Sequence, residues 1–188
     1  RTVSAQTLDA RDTAAKKALE EGIALFRQGT AESLNAALGK FETARRLFHE
    51  TNNRADEVFS LLALGRIYKA LGEMAQALAC YNQALPLYRA LADRAGEAGT
   101  LNNIGMVHSA LGEQQKALEY YNQALPLRRA VGDRGGEAVT LNNIGKVYSD
   151  LGEQQKALGH YHQALLLSRA LGDRGGEATT LNNIGKVY

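Results

Sequence analysis

The segment Leu101-Asn102-Asn103-Ile104-Gly105 returns 40 residues later as Leu141-Asn142-Asn143-Ile144-Gly145, and again as Leu181-Asn182-Asn183-Ile184-Gly185. Leu111 to Leu118 is repeated without change at Leu151 to Leu158, and an earlier copy survives in Leu71-Gly72-Glu73 and Ala77-Leu78. Residues 91–130 laid over 131–170 share about 28 of 40 positions, far more than common composition produces. A repeat of this length cannot bury its apolar face alone, so the units must stack. The full units are 51–90, 91–130 and 131–170, followed by a half unit, 171–188.

Within each unit the apolar residues follow three-and-four spacing. Leu101, Ile104, Val107 and His108 define one amphipathic helix; Ala117, Leu118, Tyr121, Ala124 and Leu125 define the next. The chain has 19 Gly beside only 2 Pro, and the glycines fall into two sets. Gly112, Gly132 and Gly172 follow helical runs and suit the left-handed conformation that closes a helix, after which Asp93, Asp133 and Asp173 stand as N-caps. Gly65, Gly105, Gly145 and Gly185 lie inside helices, where each costs about 1 kcal/mol relative to Ala. A recurring cost implies a recurring gain: without a Cβ these positions admit a facing aromatic at Tyr81, Tyr121 or Tyr161. Pro86 and Pro126 fall inside second helices, where a kink is expected rather than a stop.

These residues resemble the tetratricopeptide repeat, whose pattern of a large apolar residue, Leu, Gly, Tyr, then Ala, an aromatic and Ala is met by Leu141, Ile144, Gly145, Tyr148, Ala157, Tyr161 and Ala164. His108 replaces the Tyr in the unit before. The family's Pro near the end of the second helix is replaced by Arg89, Arg129 and Arg169, which predicts a longer second helix and accounts for 40 residues per unit. The long form is similar to repeats of kinesin light chains, of G-protein-signalling modulators and of cyanobacterial proteins carrying a caspase-like CHAT protease domain. Residues 12–50 read as a divergent first repeat, with Gly22, Ala37, Phe41 and Ala44 in register if three extra residues sit in the turn around Gly29–Ser33. Residues 1–11 read as a lead-in segment. The resemblance implies an all-α, right-handed α-solenoid of antiparallel helix pairs, about four and a half repeats in one continuous domain, with first helices lining the concave side.

Composition narrows the function. With 22 Lys+Arg against 20 Asp+Glu the net charge is +2, too small a field to draw in nucleic acid or anionic lipid. A single cysteine, Cys80, provides neither a disulfide nor a cysteine-based zinc site, and its position, shared with Tyr120 and His160, reads as a variable outward one. His160 and His162 diverge by about 200° on a helix, so no metal site is expected. No catalytic constellation and no cofactor-binding loop recurs. No apolar run of about 18 residues is present, so no membrane span is expected. The chain opens at Arg1 without Met and stops at Tyr188 in mid-pattern, which reads as a processed chain or an excised piece; a cytoplasmic location is expected.

The candidate binding surface is the stripe of the first helices opposite their core face. It carries Asn102, Asn103, Asn142, Asn143, Lys146, Asn182, Asn183 and Lys186, with Arg66 and Lys69 in an earlier unit. An amide offers both a donor and an acceptor and so can hold a peptide backbone of any sequence; the alternative is that the amides join neighbouring first helices. The cations point to an acidic protein or peptide partner. Two further expectations follow. Ile184, Val187 and Tyr188 left uncovered at the C-terminal helix would favour a homo-oligomer or end-to-end stack, and the array could serve as the sensing part of a larger protein such as a CHAT-type protease.

Overall fold

A computed structural model describes residues 5–188, and every secondary-structure element among them is an α-helix. The chain divides into one unit ending at Ala92 and a second, Asp93–Tyr188. The first contains α1 (Ala5–Gln28), α2 (Ala31–Glu50), α3 (Arg54–Ala70) and α4 (Met74–Ala90). The second contains α5 (Arg94–Ala110), α6 (Gln114–Ala130), α7 (Arg134–Asp150), α8 (Gln154–Leu171) and α9 (Arg174–Gly185). In the first, α1 packs on α2, α2 on α3 and α3 on α4. In the second, α5 pairs with α6 and α7 with α8, while α6 meets α7, α8 meets α9, and α7 touches both α5 and α9.

The turns repeat one device. At the end of α5 the chain passes through Gly112 at φ 76°, and the Glu113 N–H donates to the His108 carbonyl at 2.9 Å, the six-to-one bond of a Schellman turn. Gly72, Gly132, Gly152 and Gly172 take the same left-handed conformation. At the corresponding place after α4 stands Ala92, at φ 54°. The next helix is then capped by a side chain where one is available: Asp93, Asp133 and Asp173 accept from the N–H groups of Gly96, Gly136 and Gly176 at 2.9, 2.8 and 3.0 Å.

The helix-interior glycines do what their recurring cost implies. A Cβ on Gly65, Gly105 or Gly145 would come within 2.5, 2.6 and 2.7 Å of the rings of Tyr81, Tyr121 and Tyr161. Those rings are fully buried, and that of Tyr121 packs in one cluster with Leu141, Ile144 and Val147. Gly185, the last residue of α9, meets nothing within 4 Å.

The first helix pair departs from the sequence expectation in where its extra residues lie. They are not in the turn, which is only Gly29 and Thr30, but mainly in a lengthened start of α2. A reciprocal capping box explains this: the Ser33 N–H donates to the Thr30 hydroxyl at 3.1 Å and the Thr30 N–H to the Ser33 hydroxyl at 3.1 Å, so the helix starts a turn earlier. α1 also takes in residues 5–11, the described part of the expected lead-in; residues 1–4 lie outside the described residues.

α4 and α6 run through Pro86 and Pro126 without interruption. Both prolines are exposed, as is Leu166 at the same position of α8, and so are Asn82 and Asn122, the residues whose carbonyls lose an N–H partner to each Pro. The arginines that stand where the family has its Pro prolong the second helix and also clasp the next one. Arg129 Nε donates to Glu137 Oε1 at 2.6 Å and Arg169 Nε to Glu177 Oε1 at 2.7 Å.

Candidate functional site: the first-helix face

In the second unit the paired asparagines line the contact between successive first helices. Asn102 on α5 is 5% exposed, and its Oδ1 accepts from Asn143 Nδ2 at 3.2 Å and from the Thr140 hydroxyl at 3.3 Å, both on α7. One repeat later Asn183 Nδ2 on α9 donates to Asn142 Oδ1 on α7 at 3.1 Å. The amides therefore form a ladder from α5 to α7 to α9. Asn102 is committed to that ladder, a correction to its expected place among ligand-facing groups: at this position the side chain turns from the open face into the seam. Asn103, Asn142, Asn143 and Asn183 are half-buried, and Asn182 is exposed.

Two depressions flank the ladder. One, of about 180 Å³, lies between α5 and α7 and is lined by Met106, Ser109, Tyr121, Asn143 and Lys146. The other, of about 350 Å³, lies between α7 and α9 and is bordered by Val139, Asn142, Asn143, Ser168 and Thr179. Lys146 is exposed and pairs with Asp150 at 2.8 Å. An exposed pair one helical turn apart contributes at most about 1 kcal/mol, so an incoming carboxylate can displace Asp150 at little cost. Lys186 is exposed at the C-cap of α9.

In the first unit Arg66 is exposed and its guanidinium lies over the Phe26 ring, 5.4 Å from the centroid. Burial, with the nearby Arg66 charge, holds the Lys69 ammonium below the usual lysine range. The Tyr81 hydroxyl is buried with no hydrogen-bond partner among the described residues, and burial pushes its pKa up to about 12.

Sequence reasoning missed one feature of the helix pairs. His108 on α5 stacks on Tyr120 of α6, and Tyr148 on α7 stacks on His160 of α8. The position shared by Tyr120, His160 and Cys80 is thus turned inward, and Cys80 is 8% exposed, with burial pushing its thiol up to about 11. That corrects the outward reading. The recurrence of an aromatic or His at 68, 108 and 148 together with 120 and 160 was the signal available.

Of the residues expected to be uncovered near the C-terminus, Tyr188 is 90% exposed, while Ile184 and Val187 are half-buried; Leu181 is 44% exposed. No described helix is long and apolar enough to cross a membrane.

Stacked helix pairs with an extended first-helix face define the class of repeat modules that bind other proteins. The chain belongs to the tetratricopeptide repeat family, whose model matches residues 57–130, 96–165 and 136–188. None of the curated proteins matches. Among solved structures, aspartyl phosphate phosphatase F from Bacillus subtilis is similar with a TM-score of 0.83 at 14% identity, over 90% of this chain and 44% of that one. A Podosopora anserina chain of nearly identical TPR-like repeats, of the kinesin light chain kind, gives 0.74 at 14% identity, over 93% and 86%. A Rap protein complexed with Competence and Sporulation Factor gives 0.74 at 16% identity, over 89% and 46%. This chain spans less than half the length of the phosphatase and the Rap protein. At these identities the likeness is one of fold, which is in general that of a non-catalytic interaction scaffold.

Proposed function

We propose that this protein-interaction module binds an extended, acidic protein segment along the first-helix face of its second unit. The observation that carries the reading is the pair of depressions flanking the asparagine ladder, with Lys146 on the rim of one. Asn103, Asn142, Asn143, Asn182 and Asn183 supply amides to the backbone of the segment, while Lys146 and Lys186 meet its carboxylates. Asn102 holds α5 against α7 and so sets the spacing of the face. Arg66 and Lys69 offer a separate cationic patch in the first unit. The Rap protein complexed with a factor lends support, because it shows a fold of this kind engaged with a partner.

The test is a calorimetric titration of an acidic decapeptide against the wild type and the double variant Asn142→Ala, Lys146→Ala. The expected result is an affinity loss of about tenfold or more, since one charged and one neutral hydrogen bond are removed. Equal affinity would remove the face from consideration.

A further inference from the structure

Two departures from the repeat meet in one place in the first unit. Cys80 stands on α4 where α6 and α8 carry the rings of Tyr120 and His160, and those rings lie parallel to His108 and Tyr148 at 5.2 and 5.4 Å between centroids. Arg45 stands on α2 where the register aligned on Phe41 and Tyr81 gives Leu85, Leu125 and Leu165 in the later second helices. Between these residues is an open cleft of about 430 Å³, bordered by Glu42 and Arg45 and floored by Leu61, Leu64, Tyr68 and Cys80. The Tyr68 ring is held in place, since its hydroxyl donates to Glu42 Oε1 at 3.2 Å. In the other two pairs a second ring lies over the first-helix ring; Tyr68 instead shares an open cleft with the Cys80 thiol.

We infer that this cleft is a binding site for an aromatic side chain of a partner protein, which stacks on Tyr68 over Cys80 in the place that Tyr120 and His160 fill in their own helix pairs. The rim carries both charges, the Glu42 carboxylate bonded to the Tyr68 hydroxyl and the Arg45 guanidinium, and the cation is the one that can take a residue beside that ring. Arg46 is already paired with Glu50 at 3.0 Å, whereas Arg45, half-buried, is in no ion pair among the described residues. An acidic residue beside the aromatic one therefore completes the match. The cleft is open and its volume is larger than one ring needs, which leaves room for flanking backbone beside the side chain. The site uses α2, α3 and α4 and none of the residues assigned to the first-helix face of the second unit, so either assignment can fail without the other.

The experiment is an NMR titration of the 188-residue chain with the capped peptide Gly-Glu-Tyr-Gly and its counterpart with leucine in place of tyrosine, following the Tyr68 ring signals. The tyrosine peptide is expected to bind about tenfold more tightly than the leucine peptide, the factor to which ~1.4 kcal/mol of ring stacking corresponds. Cys80→Tyr installs the ring found at Tyr120 and is expected to abolish binding with its thermal midpoint preserved. Should that variant unfold, Arg45→Gln serves in its place and is expected to weaken the peptide severalfold. Alkylation of Cys80, the chain's single cysteine, is expected to slow when the tyrosine peptide is bound. Equal binding of the leucine peptide, undiminished binding in a folded Cys80→Tyr, unchanged affinity in Arg45→Gln, or no response to any probe overturns the proposal. Phenylacetate binding as tightly as the peptide overturns its assignment to a protein segment.

Discussion

The His108 ring lies parallel to the Tyr120 ring, 8° between planes and 5.2 Å between centroids, and the next helix pair holds the same stack with its partners exchanged, Tyr148 on His160 at 5.4 Å. The exchange keeps two flat side chains in contact while each helix changes its residue, so the pair is conserved within the chain as a geometry. Stacked rings contribute about 0.5–1.5 kcal/mol beyond the area they bury. A double-mutant cycle with Tyr148→Ala and His160→Ala, followed by urea unfolding, is expected to give a coupling energy in that range. Additive single effects would show that the two rings are merely neighbours.

The same stack makes stability depend on pH. His160 Nδ1 is buried with no hydrogen-bond partner among the described residues, and burial, assisted by the Arg129 charge, lowers its pKa in the folded chain. Lys156, which lies over the Tyr148 ring at 5.2 Å, adds a second cation to the surroundings. Because the unfolded chain takes up the His160 proton at higher pH than the folded one, this contribution to stability is complete above the ordinary histidine range near 6.5 and is lost as pH falls through it toward the lowered folded value. The carboxylates of Glu113 and Asp12, held low chiefly by hydrogen bonds with His108 and Lys16 respectively, act in the same direction but at lower pH, around and below the usual carboxylate range. Denaturant midpoints for wild type and His160→Tyr are therefore expected to diverge between about pH 7 and pH 5, with the variant flatter. Parallel profiles would assign the acid sensitivity to other groups.

Glycine substitutions separate the two roles that the composition merges. Gly145→Ala places a methyl 2.7 Å from the Tyr161 ring and is expected to cost about 1–3 kcal/mol, outweighing the gain in helix propensity. Gly159, in the middle of α8, would meet nothing within 4 Å, so Gly159→Ala is expected to stabilise by about 0.5–1 kcal/mol. Thermal melts of the two variants should move in opposite directions. A shift of the same sign in both would break the link between Gly145 and the ring.

Ala92 offers the converse case. It is the residue that closes α4 at φ 54°, where the later second helices end with Gly132 and Gly172 at 70° and 67°. A left-handed conformation costs an L-residue about 1–2 kcal/mol, so Ala92→Gly is expected to stabilise the chain by about 1 kcal/mol. An unchanged or lowered midpoint would mean that the alanine methyl packs usefully at this turn.

Why these positions were legible and others were not follows from the period of the helix. Gly65, Gly105 and Gly145 each precede a Tyr by 16 residues, and a cost repeated at fixed register has few explanations other than close packing. Asp93, Asp133 and Asp173 sit one residue beyond a turn, where only a cap accounts for them. The orientation of Cys80 was not legible, because Cys, Tyr and His share no hydropathy class and the position looks variable until the ring stack is seen. The added turn of α2 was hidden for another reason: its Gly and Ser read equally as loop residues, and only the reciprocal Thr30–Ser33 bonds distinguish a helix start from a longer turn.

The asparagine pairs show the limit most directly. Asn102 and Asn103 are 100° apart on α5, straddling the edge of the contact with α7, and nothing in the hydropathy pattern says which of them turns in. The structure buries Asn102, whose carbonyl oxygen takes two donors from α7, and leaves Asn103 half-buried. Asn102→Ala leaves the Asn143 amide without this acceptor, while the Thr140 hydroxyl keeps its bond to the Gly136 carbonyl at 2.9 Å. The expected cost is about 1–2 kcal/mol in urea unfolding. Asn103→Ala, away from that bond, is expected to change stability by less than about 0.5 kcal/mol while weakening binding of an acidic peptide to the first-helix face. The opposite assignment, with Asn103 structural and Asn102 affecting only ligand affinity, would require the two side chains to exchange roles and would overturn the ladder as the element that spaces α5 from α7.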